Sequence, residues 1–368
     1  MKYRRMPIEI EAPEELGYRT IQYNLSESSI WDARFGDWSK ELDDLVLCYG
    51  AHRGKDELRD AIAASYGASR DDILVVPGAS AALFVVSTSL LEAGTSLVVA
   101  RPNYSTNIET PRLLPCSVKF IELIFENKFE LDMAELAAQI TPDTRLVSVT
   151  YPHNPSGTVL SESKLRELIE LVERRNCYLL VDETYRDLHR GECPPLAATL
   201  SSSVISVSSL SKAFGLPGIR MGWIVCKNPE LRKLFLAGKE QIFICNSVVD
   251  EEIALRVMFK REALLSGIRG RVAEHFRIVA EWMQDEKHLE WIPPRGGVVC
   301  LPRMRAELPI DTDAFYDRLL KHYSTYVGPG HWFELSDRYF RLGFAWEPQD
   351  KLAVGLKNIS SALADSIR

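Results

Sequence analysis

The chain has 368 residues, 46% hydrophobic and 26% charged, which is ordinary for a globular protein and excludes a disordered one. Lysine and arginine number 44 against 51 acidic residues, a net charge of −7, so we expect no nucleic-acid partner. The seven cysteines include no C-x-x-C pair and several lie in apolar runs, which favours buried free thiols in a reducing compartment. No signal peptide is evident over residues 1–15, and the apolar stretch 79–91 is too short to cross a bilayer. We therefore expect a cytoplasmic protein with no membrane partner.

Between residues 55 and 226, short β-rich runs alternate with segments of helical periodicity. Helices are predicted over 55–66 and 162–175, and Ser161 is placed to cap the second of them. Strands are predicted over residues 73–76, 97–100, 118–124, 146–150, 178–181 and 204–207. Apolar strands that alternate with amphipathic helices imply an α/β fold with a mostly parallel sheet covered on both faces.

The pattern changes after residue 228. Long helices are predicted to about residue 287, followed by a strand at 298–301, a helix at 313–322, a strand at 339–344 and a final amphipathic helix. We expect a domain boundary inside a helix, since no linker of distinct composition is present. The predicted parts are an N-terminal arm at 1–40 that packs with the small domain, a large cofactor-binding domain at 41–270 and a small α+β domain at 271–368.

Polar residues follow several of the predicted strands, at the edge where parallel sheets bind ligands. Ala79 and Ser80 open a helix, where they either form a tight turn or bring backbone N–H groups to an anion. Asn154 lies between prolines, either as a turn residue or as an amide that faces a ligand. Asp182 ends an apolar run, where it would cap the next helix or pair with a cationic ligand nitrogen.

The last of these strands leads into Ser209, Ser211 and Lys212, followed by a glycine-rich turn and Arg220. A desolvated lysine has a lowered pKa and can form an imine with a carbonyl compound. Arg220 and the serine hydroxyls suit a phosphate group. A solvated surface lysine is the ordinary alternative, but it leaves the rest of this string unexplained.

Residues 209–222 read S-L-S-K-x-x-G-L-x-G-x-R-x-G, which resembles the lysine site of the class I/II aminotransferases, the fold-type-I pyridoxal-phosphate enzymes. Further matches in order and spacing are Gly78-Ala79-Ser80, Asn154-Pro155-Ser156-Gly157, Asp182-x-x-Tyr185, Tyr49-x-x-x-x-Gly54 and Arg341 within F-R-L-G-F. The resemblance covers the chain from about residue 23 onward. It implies the fold-type-I architecture, pyridoxal 5′-phosphate as cofactor, an amino acid and a 2-oxo acid as substrates, and a homodimer with shared active sites.

The resemblance also implies a role for each matching residue. Lys212 would hold the cofactor as a Schiff base and move the substrate proton, and Asp182 would keep the pyridine nitrogen protonated. The other implied cofactor contacts are Asn154 and Tyr185 at the phenolate oxygen, Tyr104 stacked on the ring, Ala79, Ser80, Ser209, Ser211 and Arg220 at the phosphate, and Tyr49 at the phosphate of the other subunit. Arg341 would bind the substrate α-carboxylate.

The N-terminal arm departs from the family pattern, which usually has a glycine-containing turn that contacts the substrate. Here residues 24–28 read N-L-S-E-S, which makes Glu27 and Ser28 candidates to contact the substrate. Glu27 could face a basic substrate or be solvated, and from the sequence we favour a solvated side chain. No arginine for a second substrate carboxylate is evident, so we do not expect an aspartate-specific enzyme. His52 and His153 could line the pocket, and the histidine spacings predict no metal site.

Alternative functions remain open at this point. Segments 294–298 and 327–330 also resemble the capreomycidine synthases, which share the fold and the cofactor but cyclise a modified arginine. The leading hypothesis is an aminotransferase; the alternative is an amino-acid cyclase or a β/γ-eliminating or replacing enzyme with the same cofactor. A regulator that has lost catalysis is disfavoured, because Lys212, Asp182 and Arg341 are all present.

Overall fold

The structure, a computed structural model, describes residues 3–40 and 42–367. In these residues the α-helices are α1 (Pro7–Ile10), α2 (Pro13–Leu16), α3 (Asp56–Tyr66), α4 (Gly78–Leu90), α5 (Thr106–Arg112), α6 (Met133–Gln139), α7 (Glu162–Arg174), α8 (Pro229–Glu240), α9 (Val248–Phe259), α10 (Arg261–Asp285), α11 (Thr312–Lys321) and α12 (Gln349–Ala364). The β-strands are β1 (Tyr23–Asn24), β2 (Ile73–Val76), β3 (Ser96–Arg101), β4 (Ser117–Glu122), β5 (Thr144–Thr150), β6 (Tyr178–Asp182), β7 (Val204–Ser209), β8 (Gly222–Cys226), β9 (Leu289–Glu290), β10 (Val299–Cys300), β11 (Arg303–Met304), β12 (Thr325–Tyr326), β13 (Gly328–Pro329) and β14 (Phe340–Gly343).

A seven-stranded sheet in the order β2-β8-β7-β6-β5-β3-β4 forms the centre of the molecule. Strands β4, β3, β5, β6 and β7 run parallel to one another, whereas β8 runs antiparallel to both of its neighbours, β2 and β7. The predicted mostly parallel sheet is thus confirmed. No strand was predicted at β8, because a short apolar run directly after the lysine string carries no periodicity of its own.

Both faces of this sheet are covered, as predicted. Side chains alternate between the faces, so Ile73 and Val75 join one apolar cluster while Leu74 and Val76 join another. Helices α3, α7, α9 and α10 supply the first cluster, and α4, α5 and α8 supply the second. Helix α7 begins as expected, since the Ser161 hydroxyl accepts a hydrogen bond from the Lys164 N–H at 3.2 Å.

Beyond β8 the chain forms three helices and then small sheets. Strands β10, β14 and β13 form a three-stranded antiparallel sheet, and the strand predicted at 298–301 is limited to Val299–Cys300. The arm reaches this region: β1 pairs in parallel with β12, and the Leu25 N–H donates to the Tyr326 carbonyl at 2.8 Å. Helix α10 runs without a break through residue 270, where we predict the boundary between the large and small domains; that division stays a prediction.

The seven cysteines carry free thiols. Cys177, Cys226 and Cys300 are buried, as expected from their apolar surroundings, but Cys48 and Cys193 are exposed, because they lie on loops outside the core. Of the helices that the structure describes, none combines the length and the apolar character needed to cross a membrane.

Candidate active site

One cavity lies at the edge of the sheet where β5, β6 and β7 end. Thirteen of the sequence-predicted site residues line it: Glu27, Ser28, Ala79, Ser80, Tyr104, Asn154, Asp182, Tyr185, Ser209, Ser211, Lys212, Arg220 and Arg341. Tyr49 does not, and its ring is exposed on the surface of this single chain. The two sides of the cavity differ in origin, so we name them separately. The sheet-edge wall comprises Asn154, Asp182, Thr184, Tyr185, Ser209, Ser211 and Lys212, and the arm wall comprises Ile8, Glu9, Ala12, Pro13, Glu14, Ser26, Glu27 and Ser28.

Strand register brings the sheet-edge wall together. Thr150 at the end of β5 pairs with Asp182 at the end of β6, which in turn pairs with Val207 of β7. Asn154, Asp182 and Ser209 therefore end at the same edge of the sheet, although they are far apart in the sequence. This is the position at which parallel α/β sheets bind ligands.

Asp182 is a buried carboxylate held by its own turn. Its Oδ1 accepts hydrogen bonds from the Thr184 hydroxyl at 2.6 Å and the Thr184 N–H at 3.1 Å. Burial raises the pKa of Asp182, against these hydrogen bonds and the charge of Lys212, which lower it. Within the described residues it forms no ion pair, so a cationic nitrogen in the cavity would compensate the cost of its burial. The sequence left two alternatives for Asp182, a residue that forms a turn or a partner for a cationic ligand nitrogen. In the structure one carboxylate can fill both roles.

Lys212 lines the same wall of the cavity as Asp182. Its Nζ donates to the Ser28 hydroxyl at 3.0 Å. Burial lowers the pKa of Lys212, while the negative charge of Glu27 acts in the opposite direction. A lysine with a lowered pKa is more often neutral near pH 7, and a neutral amine is both a nucleophile and a proton acceptor.

A cradle for an anion adjoins Lys212. Arg220 Nη2 lies 3.4 Å from the Ser80 hydroxyl, at the first turn of α4, whose N-cap provides no side-chain acceptor. Gly78 permits this approach, because its φ is +84° and a Cβ there would lie 2.5 Å from Arg220 Nη2. Free N–H groups at a helix start, a guanidinium and the Ser209 and Ser211 hydroxyls form a donor set suited to phosphate.

Arg341 is a buried cation on the far side of the cavity. Only 4% of its surface is exposed, Nη1 donates to Asn154 Oδ1 at 3.2 Å and Nη2 donates to the Ser26 carbonyl at 2.8 Å. Its Nε has no hydrogen-bond partner, and no carboxylate in the described part of the chain pairs with it. A buried guanidinium that contacts only neutral oxygens is placed to bind a carboxylate ligand.

Two tyrosines complete the cavity. The Tyr185 hydroxyl donates to the Ser28 carbonyl at 2.6 Å, and burial raises its pKa to about 12, so it is a neutral phenol at pH 7. Tyr104 is partly buried, and burial also raises its pKa. Both rings are therefore uncharged surfaces beside the charged groups.

The arm wall is held by a few long-range hydrogen bonds. Glu11, between α1 and α2, accepts from Trp332 Nε1 at 2.7 Å and lies 2.9 Å from His331 Nε2. The Tyr326 hydroxyl donates to the Glu11 carbonyl at 2.9 Å. These contacts fix the short helices α1 and α2 beside the cavity, although the helices are too short to be stable alone.

Sequence reasoning missed part of this cavity and misplaced two histidines. Glu9, Glu14, Ser26, Thr184 and Trp332 also line it, and only Ser26 and Thr184, which lie inside segments already singled out, carried a signal. His153 is instead buried between the Ser156 hydroxyl and the Pro102 carbonyl, with its pKa lowered to about 4 by burial. His52 is exposed and pairs with Glu240. Among the described residues no group of three or more side chains could hold a metal ion.

A lysine of lowered pKa, a buried carboxylate, a phosphate cradle and a buried arginine around one cavity of this α/β fold define a pyridoxal-phosphate-dependent enzyme of fold type I. The residues fit the cofactor, since the cradle suits its phosphate and Asp182 lacks the cationic partner that a pyridinium nitrogen would be. The chain belongs to the aminotransferase class I and II family, whose profile matches residues 37–359.

Known proteins align with most or all of this chain. It is 31% identical over 364 residues to capreomycidine synthase of Streptomyces vinaceus, covering 95% of this chain and 92% of that one. It is 29% identical to the arginine–pyruvate transaminase AruH of Pseudomonas aeruginosa, covering 80% and 77%. A crystal structure of a PLP-dependent aminotransferase from Streptococcus suis matches with a TM-score of 0.92, 27% identity and full coverage of both chains. The fold class, cofactor and enzyme class predicted from the sequence are thus confirmed.

Proposed function

We propose that this enzyme transfers an amino group between an L-amino acid and a 2-oxo acid. The observation that carries the proposal is the joint placement of Lys212, Asp182 and Arg341 around one cavity in a chain of the aminotransferase family. These residues provide a base, a partner for a cationic ring nitrogen and a carboxylate site. Bound pyridoxal phosphate supplies an electron-withdrawing ring that stabilises negative charge developing at the amino-acid α-carbon.

We propose that Lys212 removes and returns the proton at the substrate α-carbon. Its amine is hydrogen-bonded to Ser28, and burial lowers its pKa, which favours the neutral form that accepts a proton. Asp182 would keep the ring nitrogen cationic by pairing with it in a site that excludes water. Asn154 and Tyr185 would donate to the oxygen on the ring, and Tyr104 would stack against it.

The substrate and the phosphate would occupy opposite ends of the cavity. The Ala79 N–H, Ser80, Ser209, Ser211 and Arg220 would bind the phosphate. Arg341 would bind the α-carboxylate with two hydrogen bonds, in a geometry that a lysine cannot reproduce, and Asn154 would orient it. Ser28 and Glu27 would then contact the bound substrate from the arm wall.

We further propose a homodimer in which Tyr49 reaches the phosphate of the other subunit. The exposed segment around Tyr49 supports this, since Val46, Leu47 and Tyr49 are 71%, 77% and 83% exposed, which is unusual for adjacent apolar side chains. Sedimentation equilibrium is expected to give twice the 41.6 kDa of one chain. We place the dimer in the cytoplasm, which the free thiols support.

A second candidate is an amino-acid cyclase or eliminating enzyme with the same cofactor. It is supported by the 31% identity to capreomycidine synthase over 95% of the chain. Both candidates share the base at Lys212, so the lysine does not distinguish them. They differ in whether the amino group leaves the substrate.

The test is a single-turnover reaction of the holoenzyme with an amino acid and no 2-oxo acid. An aminotransferase releases one 2-oxo acid per active site and then stops until pyruvate or 2-oxoglutarate is added. Consumption of the amino acid over many turnovers without an acceptor would assign the cyclase or eliminase function instead. Product mass spectrometry identifies which compound forms in each case.

A further inference from the structure

The arm wall carries three carboxylates. Glu9, Glu14 and Glu27 all line the active-site cavity. None of their carboxylates forms an ion pair over residues 3–40 and 42–367. Glu9 and Glu27 are partly buried, and both oppose the lowering of the pKa of Lys212 by burial, so their field reaches the reacting end of the cavity.

The negative region continues into a second cavity that adjoins the first. Glu14, Glu27 and Lys212 line both cavities, and Asp32, Tyr18 and Trp38 extend the second. The pKa of Tyr18 is raised to about 12, by burial and then by the charges of Glu27, Glu14 and Asp32. Arg34 is the one arginine that lines the second cavity among the described residues, so carboxylates outnumber guanidinium groups there.

A second, independent observation indicates which group the other end of the ligand carries. Arg341 is a buried guanidinium whose Nε has no partner and which faces the same cavity. It points to a ligand that carries a carboxylate. Arg341 bonds to the Ser26 carbonyl, Lys212 bonds to Ser28, and Glu27 between them in the chain lines the same cavity, so a ligand whose carboxylate binds at Arg341 can extend past Lys212 and Ser28 toward Glu27.

We infer that the substrate is an L-amino acid with a long, positively charged side chain, guanidino or ammonium, whose terminal cation binds at Glu27 with Glu9 and Glu14 around it. The inference rests on the proposed function, because it takes Arg341 as the α-carboxylate site. A neutral side chain of equal length leaves these carboxylates unpaired, and an acidic one is repelled by them.

The experiment compares L-arginine with L-citrulline, which has the same length but a neutral ureido group in place of the guanidinium. The holoenzyme is titrated with each amino acid without a 2-oxo acid, and the dissociation constant is read from the change in the absorbance of the bound cofactor. L-lysine and L-norleucine form a second charged and neutral pair. We expect each charged member to bind at least about tenfold more tightly than its neutral partner.

Substitutions of single glutamates in the arm wall then test which carboxylate produces the preference for a charged side chain. Glu27→Gln is expected to reduce the arginine-to-citrulline preference at least about fivefold, and Glu9→Gln to reduce it less, since Gln keeps the size but removes the charge. Glu170→Gln, on the solvent-exposed side of α7, is the matched control and should leave the preference unchanged.

Equal binding of arginine and citrulline by the wild-type holoenzyme overturns the inference. So does a preference that survives in both Glu27→Gln and Glu9→Gln, because it then has another origin. These outcomes are separate from failure of the proposed function, which would appear in the single-turnover test as consumption of the amino acid over many turnovers without a 2-oxo acid.

Discussion

The two walls of the cavity are built in different ways. The sheet-edge wall consists of residues at the ends of buried parallel strands, and strand register sets their positions. The arm wall consists of two four-residue helices and the segment 24–28, whose positions depend on single long-range contacts such as Glu11 with Trp332. Strand pairing therefore fixes the sheet-edge wall, whereas contacts between segments that are distant in the sequence fix the arm wall.

This difference assigns separate tasks to the walls. Chemistry at the α-carbon needs a base and a charge partner at fixed positions, which strand ends supply. Selection of a side chain needs only a charge near its terminus, which Glu9, Glu14 and Glu27 of the arm wall supply. Changes in the sheet-edge wall should thus lower turnover for every substrate, and changes in the arm wall should alter the choice among substrates.

The largest effect is expected for Lys212→Ala. Loss of the base should lower turnover at least about a thousandfold, and the variant should lose its cofactor on dialysis. Borohydride treatment of the wild-type holoenzyme followed by peptide mapping should place the cofactor label on Lys212. Lys233→Ala, at an exposed position on α8, serves as control. Label on a different lysine would contradict the assignment.

Asp182→Asn comes next and tests the charge partner. The variant should keep its fold and lose turnover about a hundredfold to a thousandfold, because the ring nitrogen is no longer held cationic. Thr184→Val removes the 2.6 Å hydrogen bond but leaves the carboxylate, so it should cost far less. Near-normal rates in Asp182→Asn would mean that this residue only forms the turn.

Arg341→Lys tests the substrate end of the cavity. An ammonium cannot make the two parallel hydrogen bonds of a guanidinium, so KM for amino acids should rise about tenfold to a hundredfold while cofactor affinity changes little. Steady-state kinetics and cofactor titration separate the two quantities. Amines without a carboxylate that react as well as amino acids in the wild type would disprove the role.

The smallest effect is one on thermal stability, and it is expected at His331, where the N-terminal arm contacts the rest of the protein. Burial alone would lower the pKa of His331, but hydrogen bonds to Asp337 and Glu11 outweigh it and raise the pKa above its usual value. Since the folded-state pKa is the raised one, the stabilisation is fully present below about pH 6.5 and is lost as the pH rises through that raised pKa. Glu11→Gln should lower Tm by about 1–2 °C at low pH.

Thermal unfolding monitored by circular dichroism between pH 6 and 9 measures this effect. The difference in Tm between the wild type and Glu11→Gln should narrow as the pH increases. Glu170→Gln breaks an exposed pair on α7 and should show no such trend. A difference that is constant or grows with pH would exclude His331 as the titrating group.

The sequence by itself determined the α/β class and almost all of the sheet-edge wall. Apolar runs in the sequence mark the parallel strands and where they end. The site residues Asn154, Asp182 and Lys212 follow these runs within a few positions, so they could be predicted from the local sequence. Strand β8 escaped prediction because an apolar run of five residues has no period that separates strand from helix.

Only the tertiary structure decided the arm wall and its charge. Glu9 and Glu14 are ordinary charged residues of a polar segment, and nothing in their spacing indicates that they line a cavity together with Lys212. The fold brings them to Lys212 through β1 with β12 and through Glu11 with Trp332, which are contacts between distant segments. Such contacts depend on where the whole chain packs, and local periodicity carries no information about them.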